Sequence, residues 1–205
     1  FNSFANNGFD VDAFSNAMNN APGNKIITLL NFPNNPTGYT PTVKEAEQIQ
    51  QVVLAQAQKG KQVIVIIDDA YFGLVYEDGI FMESIFTKLC NLHTNVLAVK
   101  LDGPTKEDYV WGFRVGFMTY GIKEGSAALY EALEAKTAGA VRGNISNISN
   151  LSQSLLYKVY QSPKYDEYKQ EKYSILKSRY QVLSKALKAN NLGKSLLSDK
   201  TTKLI

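Results

Sequence analysis

The chain has 205 residues, 44% of them hydrophobic and 20% charged, with 22 basic against 19 acidic groups and a formal charge of +3. That composition supplies a core for one substantial domain or two small ones, and it excludes a disordered tail, a collagen or a coiled-coil rod. No apolar stretch approaches the roughly 20 residues of a membrane-spanning helix, and so scattered a charge excess gives no footprint for nucleic acid or anionic lipid.

The first element in chain order is a short helix from residue 11, with Asp10 as its N-cap and a stop in the Asn/Pro/Gly stretch at 19–24. Residues 25–31 form a short apolar run bounded by turn residues, which reads as a buried strand. A turn dense in Pro, Asn and Gly follows at 32–39. Thr42 then caps a helix to about Lys59, with Val43, Ala46, Ile49, Val53 and Ala57 on one face. The β-branched run 63–67 has no polar alternation, the pattern of a strand covered on both faces, and Asp68 to Tyr71 stand at its carboxyl end. A helical stretch over about 81–89 leads to a strand at 95–101 and a polar loop holding Lys106. Another strand is expected from Arg114 to Tyr120, then helices over roughly 123–141, 147–160 and 163–190. The last carries Tyr165, Tyr168, Lys172, Leu176, Tyr180, Leu183 and Leu187 at helical spacing, a stripe that reads as core or a domain seam.

Strand and helix alternate through the first 120 residues, so the expected fold is α/β, a three-layer α/β/α arrangement with a mostly parallel central sheet. We place a large domain over 1–162 and, over 163–205, a connecting helix with the start of a second, smaller domain. Phe1 is not a methionine, and 194–205 hold no strong element, so the chain is read as an internal piece of a longer protein.

Counts of single residue types narrow the chemistry. The only cysteine, Cys90, has no partner for an internal disulfide, which fits a reducing, cytoplasmic compartment. The only histidine, His93, leaves no His/Cys cluster for zinc. Three arginines, Arg114, Arg142 and Arg179, are the candidates for an anion-binding fork. Chemistry here would rest on lysine, carboxylate, tyrosine and a cofactor.

Ligands in open α/β sheets bind beyond the carboxyl ends of the strands. Four segments are expected there: the turn Asn35-Pro-Thr-Gly, the run Asp68-Asp-Ala-Tyr71, Lys106 and Arg114. Each alone has an ordinary explanation as a turn, a helix cap or a solvated side chain. Their order and spacing together resemble the class I and II aminotransferases, pyridoxal-phosphate (PLP) enzymes of fold type I. The resemblance rests on Asn31-Phe-Pro-Asn-Asn-Pro-Thr-Gly38, on Asp68-Asp-Ala-Tyr71, and on a lysine motif made of Gly103-Pro-Thr-Lys106 followed by Gly112-Phe-Arg-Val-Gly116, with Arg142-Gly-Asn-Ile-Ser-Asn147 as a fourth match, and it runs from Phe9 to about Asn190. The step of eight residues from Lys106 to Arg114 is also that of the family.

The resemblance implies an aminotransferase that moves an amino group between an amino acid and a 2-oxo acid, with Lys106 forming a Schiff base to PLP and then moving a proton. It implies that Asp68 holds the pyridine nitrogen protonated, that Tyr71 and Asn35 hydrogen-bond the ring's phenolic oxygen, and that Arg114 and Thr105 bind the phosphate. Neighbouring strand residues face opposite ways, so Asp68 and Asp69 are not both expected at the ring; Asp69 reads as a solvated or capping group. The segment 142–147 implies a homodimer in which it reaches the partner's site. Three departures stand out: Gly103 replaces the family's serine, Pro104 stiffens that loop, and the family's glycine-rich phosphate turn and stacking aromatic are not among the residues before Asn31. Nor is the family's carboxylate-gripping arginine evident, since Arg179 lies among lysines on the last helix. Two alternatives stay open: another fold-type I reaction, such as a β-lyase or decarboxylase, and a catalytically silent sensor domain.

Overall fold

The computed structural model describes residues 4–5 and 8–190; the expectations for 191–205 lie outside the described residues. In chain order the elements are β1 (Phe4–Ala5), β2 (Gly8–Phe9), α1 (Val11–Asn19), β3 (Lys25–Asn31), α2 (Val43–Gln58), β4 (Gln62–Asp68), α3 (Phe86–Leu89), β5 (Val96–Asp102), α4 (Pro104–Glu107), β6 (Phe117–Gly121), α5 (Ala127–Asn144), α6 (Asn150–Tyr160) and α7 (Tyr165–Ala189). Strands β1 and β2 pair antiparallel; the main sheet has the order β3–β4–β5–β6. Its first three strands are parallel, and β6 returns antiparallel to β5. Among the described residues no helix is long and apolar enough to cross a membrane.

Alternation along the strands decides where the core forms. Ile26 and Leu30 of β3, Val63, Val65 and Ile67 of β4, and Val96 and Ala98 of β5 are buried. Their register places them on one face. They pack with Phe14 and Met18 of α1 and with Ala46, Ile49, Val53 and Ala57 of α2. Val43, expected on the same face of α2, is exposed instead, at the first position of the helix. The second face of the sheet is covered unevenly. Helix α5 approaches it over β6, where the Tyr120 hydroxyl bonds that of Thr137. Ile27 and Leu29, on edge strand β3, are 63% and 59% exposed. Only the α2-facing side of β4 is fully buried, so its unbroken β-branched run does not mean equal cover on both faces.

Four features differ from the sequence expectation. The helix expected over 81–89 is reduced to α3, and residues 81–85 run as loop into it. Lys106 lies in the one-turn helix α4 rather than in open loop. Strand β6 begins at Phe117, so Arg114 is in the preceding turn, with φ +55°. The long helix α7 contains no buried residue. Its half-buried face runs through Tyr165, Lys169, Tyr173, Leu176 and Tyr180, while Tyr168 and Leu183 of the expected stripe are exposed. That face touches loops rather than a hydrophobic layer.

A polar cluster fastens the N-terminal strand pair to α2. Thr42 and Glu45 form a capping box: the Thr42 side chain accepts from the Glu45 backbone, and Glu45 accepts the Thr42 backbone N–H at 2.7 Å. The same carboxylate accepts the Tyr39 hydroxyl at 2.5 Å and the Phe9 N–H at 2.9 Å. Burial alone would raise the Glu45 pKa, but the bonds from Tyr39, Thr42 and Phe9 outweigh it and hold the carboxyl below its ordinary value. A depressed folded-state pKa contributes stability above the ordinary carboxylate range, and that stability is lost as pH falls through the folded value. Glu45→Gln is therefore expected to lower unfolding free energy at pH 7 by about 2 kcal/mol in urea melts. The difference from the parent should shrink below about pH 4; a pH-independent difference would rule out the charge as its source.

Candidate active site

The parallel register aligns Asn31 with Asp68 and Asp68 with Leu101. The carboxyl ends of three strands thus meet at one edge of the sheet. At the end of β3, the Asn31 amide donates to the Asp68 carbonyl at 3.0 Å. Its side-chain oxygen accepts the Asn35 N–H at 2.9 Å and the Asn34 amide at 3.2 Å. Asn34 in turn accepts the Thr37 hydroxyl at 2.6 Å and donates its N–H to the Tyr39 carbonyl at 2.8 Å. The turn is therefore pinned to the end of β4 by its own asparagines. The sequence pattern contained Asn31 and Asn34, but nothing in it separated their structural task from the others' chemistry.

Five of the sequence-predicted residues converge here. The Asn35 amide donates to the Tyr71 hydroxyl at 3.3 Å. The Lys106 amine stands over the Tyr71 ring, 5.0 Å from its centroid, a cation–π arrangement. Asp68, Thr105 and Lys106 line one cleft of about 530 Å³, together with Gly116, Met118 and Thr137. Its size falls within the range of small-molecule sites. Asp68 is half-buried, and its Oδ1 accepts the Ala70 N–H at 3.1 Å. Arg114 is exposed in its turn and is not among the cleft-lining residues, although Val115 and Gly116 beside it are. The cleft wall from Met118, Thr137, Val141 and Ile148 was not legible in the sequence, because contacts between β6, α5 and the loop after it leave no local pattern.

Gly103 has a steric explanation. A Cβ there would sit 2.8 Å from the Val115 carbonyl oxygen and 3.0 Å from Gly116 Cα. The strand leading to Lys106 and the chain leading into β6 pass too closely for a serine. Beyond Lys106 the backbone turns through Tyr109 at φ +59°, a left-handed conformation that costs a bulky residue on the order of 1–3 kcal/mol.

Asp69 departs from its expected place as a solvated or capping group: it is 2% exposed. It points to the opposite face from Asp68, toward Lys100, which bonds Asp102. Asp69 Oδ2 lies 3.9 Å from the Lys100 amine, beyond hydrogen-bond reach, and has no hydrogen-bond partner. Burial raises its carboxyl to about 6, against the lowering effects of Ser84 and Lys100. Strand alternation separates the two aspartates but does not say which face is dry.

The polar groups on and beside the cleft are a carboxylate, an amine, a threonine hydroxyl, a phenol and an amide. This set fits an organic cofactor that offers a carbonyl to an amine, a basic ring nitrogen to a carboxylate, and anionic oxygens to neutral donors. Among the described residues, no group of three or more His, Cys, Asp or Glu is placed to hold a metal ion.

A solved aminotransferase from Anaerococcus prevotii superposes with a TM-score of 0.79 at 27% identity, over 92% of this chain and 47% of that one. Cytoplasmic aspartate aminotransferase from Saccharomyces cerevisiae gives 0.71 at 20% identity, over 95% of this chain and 48% of that one. An aromatic-amino-acid aminotransferase from Burkholderia pseudomallei, solved covalently bound to pyridoxal phosphate, gives 0.64 at 21%, over 88% and 43%. The last two likenesses show the fold. The chain spans about half the length of these solved structures. No curated protein sequence matches it. The profile of the family Aminotransferase class I and II matches residues 1–202, and the chain belongs to that family.

The buried aspartate generates a pH prediction. The folded-state pKa of Asp69 lies above its ordinary 3.8, so the folded chain binds this proton more tightly, and stability falls as pH rises from about 4 to about 6. Asp69→Asn is expected to remove this decline, worth on the order of 2 kcal/mol. Urea melts at pH 4, 5, 6 and 7 would show it, and parallel curves for the two proteins would refute the assignment.

Proposed function

We propose that this member of the class I and II aminotransferases carries the lysine-bearing part of a PLP site, and that the whole protein transfers an amino group between an amino acid and a 2-oxo acid. The observation that carries this reading is the convergence of Lys106, Tyr71 and Asn35 beside the cleft that Asp68 and Thr105 line. When bound, PLP supplies the electron sink that makes an amino acid's α-proton removable. Lys106 would hold the cofactor through its carbonyl, and its amine would serve as the base for the substrate proton. The Asp68 carboxylate, presented at the strand end, holds the ring nitrogen protonated. Tyr71 and Asn35, already hydrogen-bonded to one another, donate to the ring's phenolic oxygen. Thr105 supplies a hydroxyl to the phosphate, and Arg114 its guanidinium, which requires the side chain to swing in from its exposed turn.

The reading extends to quaternary structure: the protein works as a homodimer, with the exposed segment 142–147 facing the partner's site. Within that segment the Arg142 guanidinium donates to Ser146 at 2.6 Å. The single free cysteine, Cys90, supports work in a reducing, cytoplasmic compartment.

Mixing the protein with PLP, reducing with borohydride and mapping peptides tests the attachment point. A single pyridoxyl group on Lys106 is expected, and none in Lys106→Ala. Loss of this amine is expected to lower transamination by about 10²–10⁴-fold or more. An adduct on another lysine, or none, would overturn the assignment. Tyr71→Phe is expected to keep the adduct while shifting the pH at which the bound cofactor changes colour, since it removes one hydrogen-bond donor; an unchanged titration would remove Tyr71 from the site.

A further inference from the structure

We propose that helix α7 is a positioning strut for the reactive lysine: Tyr165 and Lys169 at one end and Tyr173 and Tyr180 at the other grip the two loops that bring Lys106 and Tyr71 together. The inference rests on the reading of Lys106 as the reactive amine and assigns work to residues more than fifty positions away in sequence.

Strand ends alone do not place Lys106. Asp68 belongs to β4 and is fixed by the ladder on both sides. Lys106 is beyond the end of β5, in a single helical turn without ladder hydrogen bonds. Its position must be supplied by contacts from elsewhere. The two residues that follow it provide them. The Lys169 amine donates to Glu107 and lies 3.8 Å from Asp108 Oδ1. Asp108 accepts the Tyr165 hydroxyl at 2.6 Å and the Tyr160 hydroxyl at 2.8 Å. Lys169 also donates to the Tyr165 oxygen at 3.2 Å, which closes the cluster.

The same helix face holds the loop after Tyr71. The Tyr173 hydroxyl donates to the Val75 carbonyl at 2.8 Å, and the Tyr180 hydroxyl donates to Glu77. The Tyr76 ring lies between them, 5.6 Å from Tyr173 and 5.5 Å from Tyr180. Positions 165, 169, 173 and 180 fall on one side of a helix and span roughly 22 Å along it. One rigid rod therefore spaces both loops. The left-handed backbone at Tyr109, next to the clamped Asp108, is a conformation that persists only where the surroundings over-determine it.

The environment of the cluster agrees with this geometry. Burial, together with the bond to Asp108, pushes the Tyr165 hydroxyl up to about 12. Burial works against the Lys169 charge, but its bonds to Glu107 and Tyr165 outweigh that and raise its pKa. An exposed ion pair of this kind would contribute little. Here Asp108 is nearly buried, its side chain 8% exposed, and takes two phenols besides the cation.

The test compares the protein with Tyr165→Phe/Lys169→Met and with Lys169→Arg. One readout needs no bound cofactor: hydrogen exchange at residues 104–110, with Lys169→Arg as the conservative control. The double variant is expected to speed exchange at 104–110 by about tenfold or more while β4 and β5 keep their protection. Lys169→Arg should retain most of the parent behaviour. Unchanged exchange at 104–110, or equal acceleration in β4 and β5, would overturn the strut. Failure of the parent protein to give a pyridoxyl adduct on Lys106 would instead overturn the functional reading, and with it the strut's catalytic purpose. A parent adduct with unchanged exchange in the variant overturns the strut alone.

Discussion

The parallel pairing of β3, β4 and β5 is the constraint on which the rest of this structure depends. Parallel strands end at the same edge, and the register sets Asn31, Asp68 and Leu101 in one row across it. Asn35, Asp68, Tyr71, Thr105 and Lys106 are each attached to that row directly or by a few residues of chain. The apolar alternation that buries Ile26, Val63, Val65 and Val96 against α1 and α2 fixes the register, since a slip of one residue would turn those side chains away from the helices. Core packing and site geometry are therefore one problem here.

The two aspartates at the end of β4 show how one backbone position separates two environments. Asp68 faces the cleft. Asp69 faces the packed side beneath the loop, next to Ser84 and Lys100. An incompletely paired carboxylate in that setting favours its protonated form. The chain tolerates it because Lys100 and Asp102 share the same corner, and the cation limits the repulsion between the carboxylates.

In the loops beyond the strand ends, hydrogen bonds add to the burial of Tyr39, Val75 and Ile80 in setting the order of the chain. Asn31 and Asn34 hold the turn at 31–39, the Thr42–Glu45 box holds its far end, and α7 holds the loops after β4 and β5. Such polar fastening allows close approach without a thick hydrophobic layer. It suits a site in which Lys106, Tyr71 and Asn35 must remain accessible from the cleft side while keeping fixed relations to each other.

The sequence by itself determined the α1 cap at Asp10, strand β3, the Thr42 cap and the succession of strands and helices, because each is written in short-range chemistry: a capping side chain, an apolar run, a turn residue. It also determined which residues would gather at the strand ends, through motifs whose order is the order of the strands. Tertiary structure decided what short-range patterns do not encode. It turned Asp69 inward, placed Arg114 in an exposed turn ahead of β6, left one face of β3 open, and set the tyrosines of α7 against loops rather than in a core. These outcomes depend on which surfaces meet across long chain separations. Periodicity tells which side chains share a face, but only the packing of the whole chain tells what that face meets.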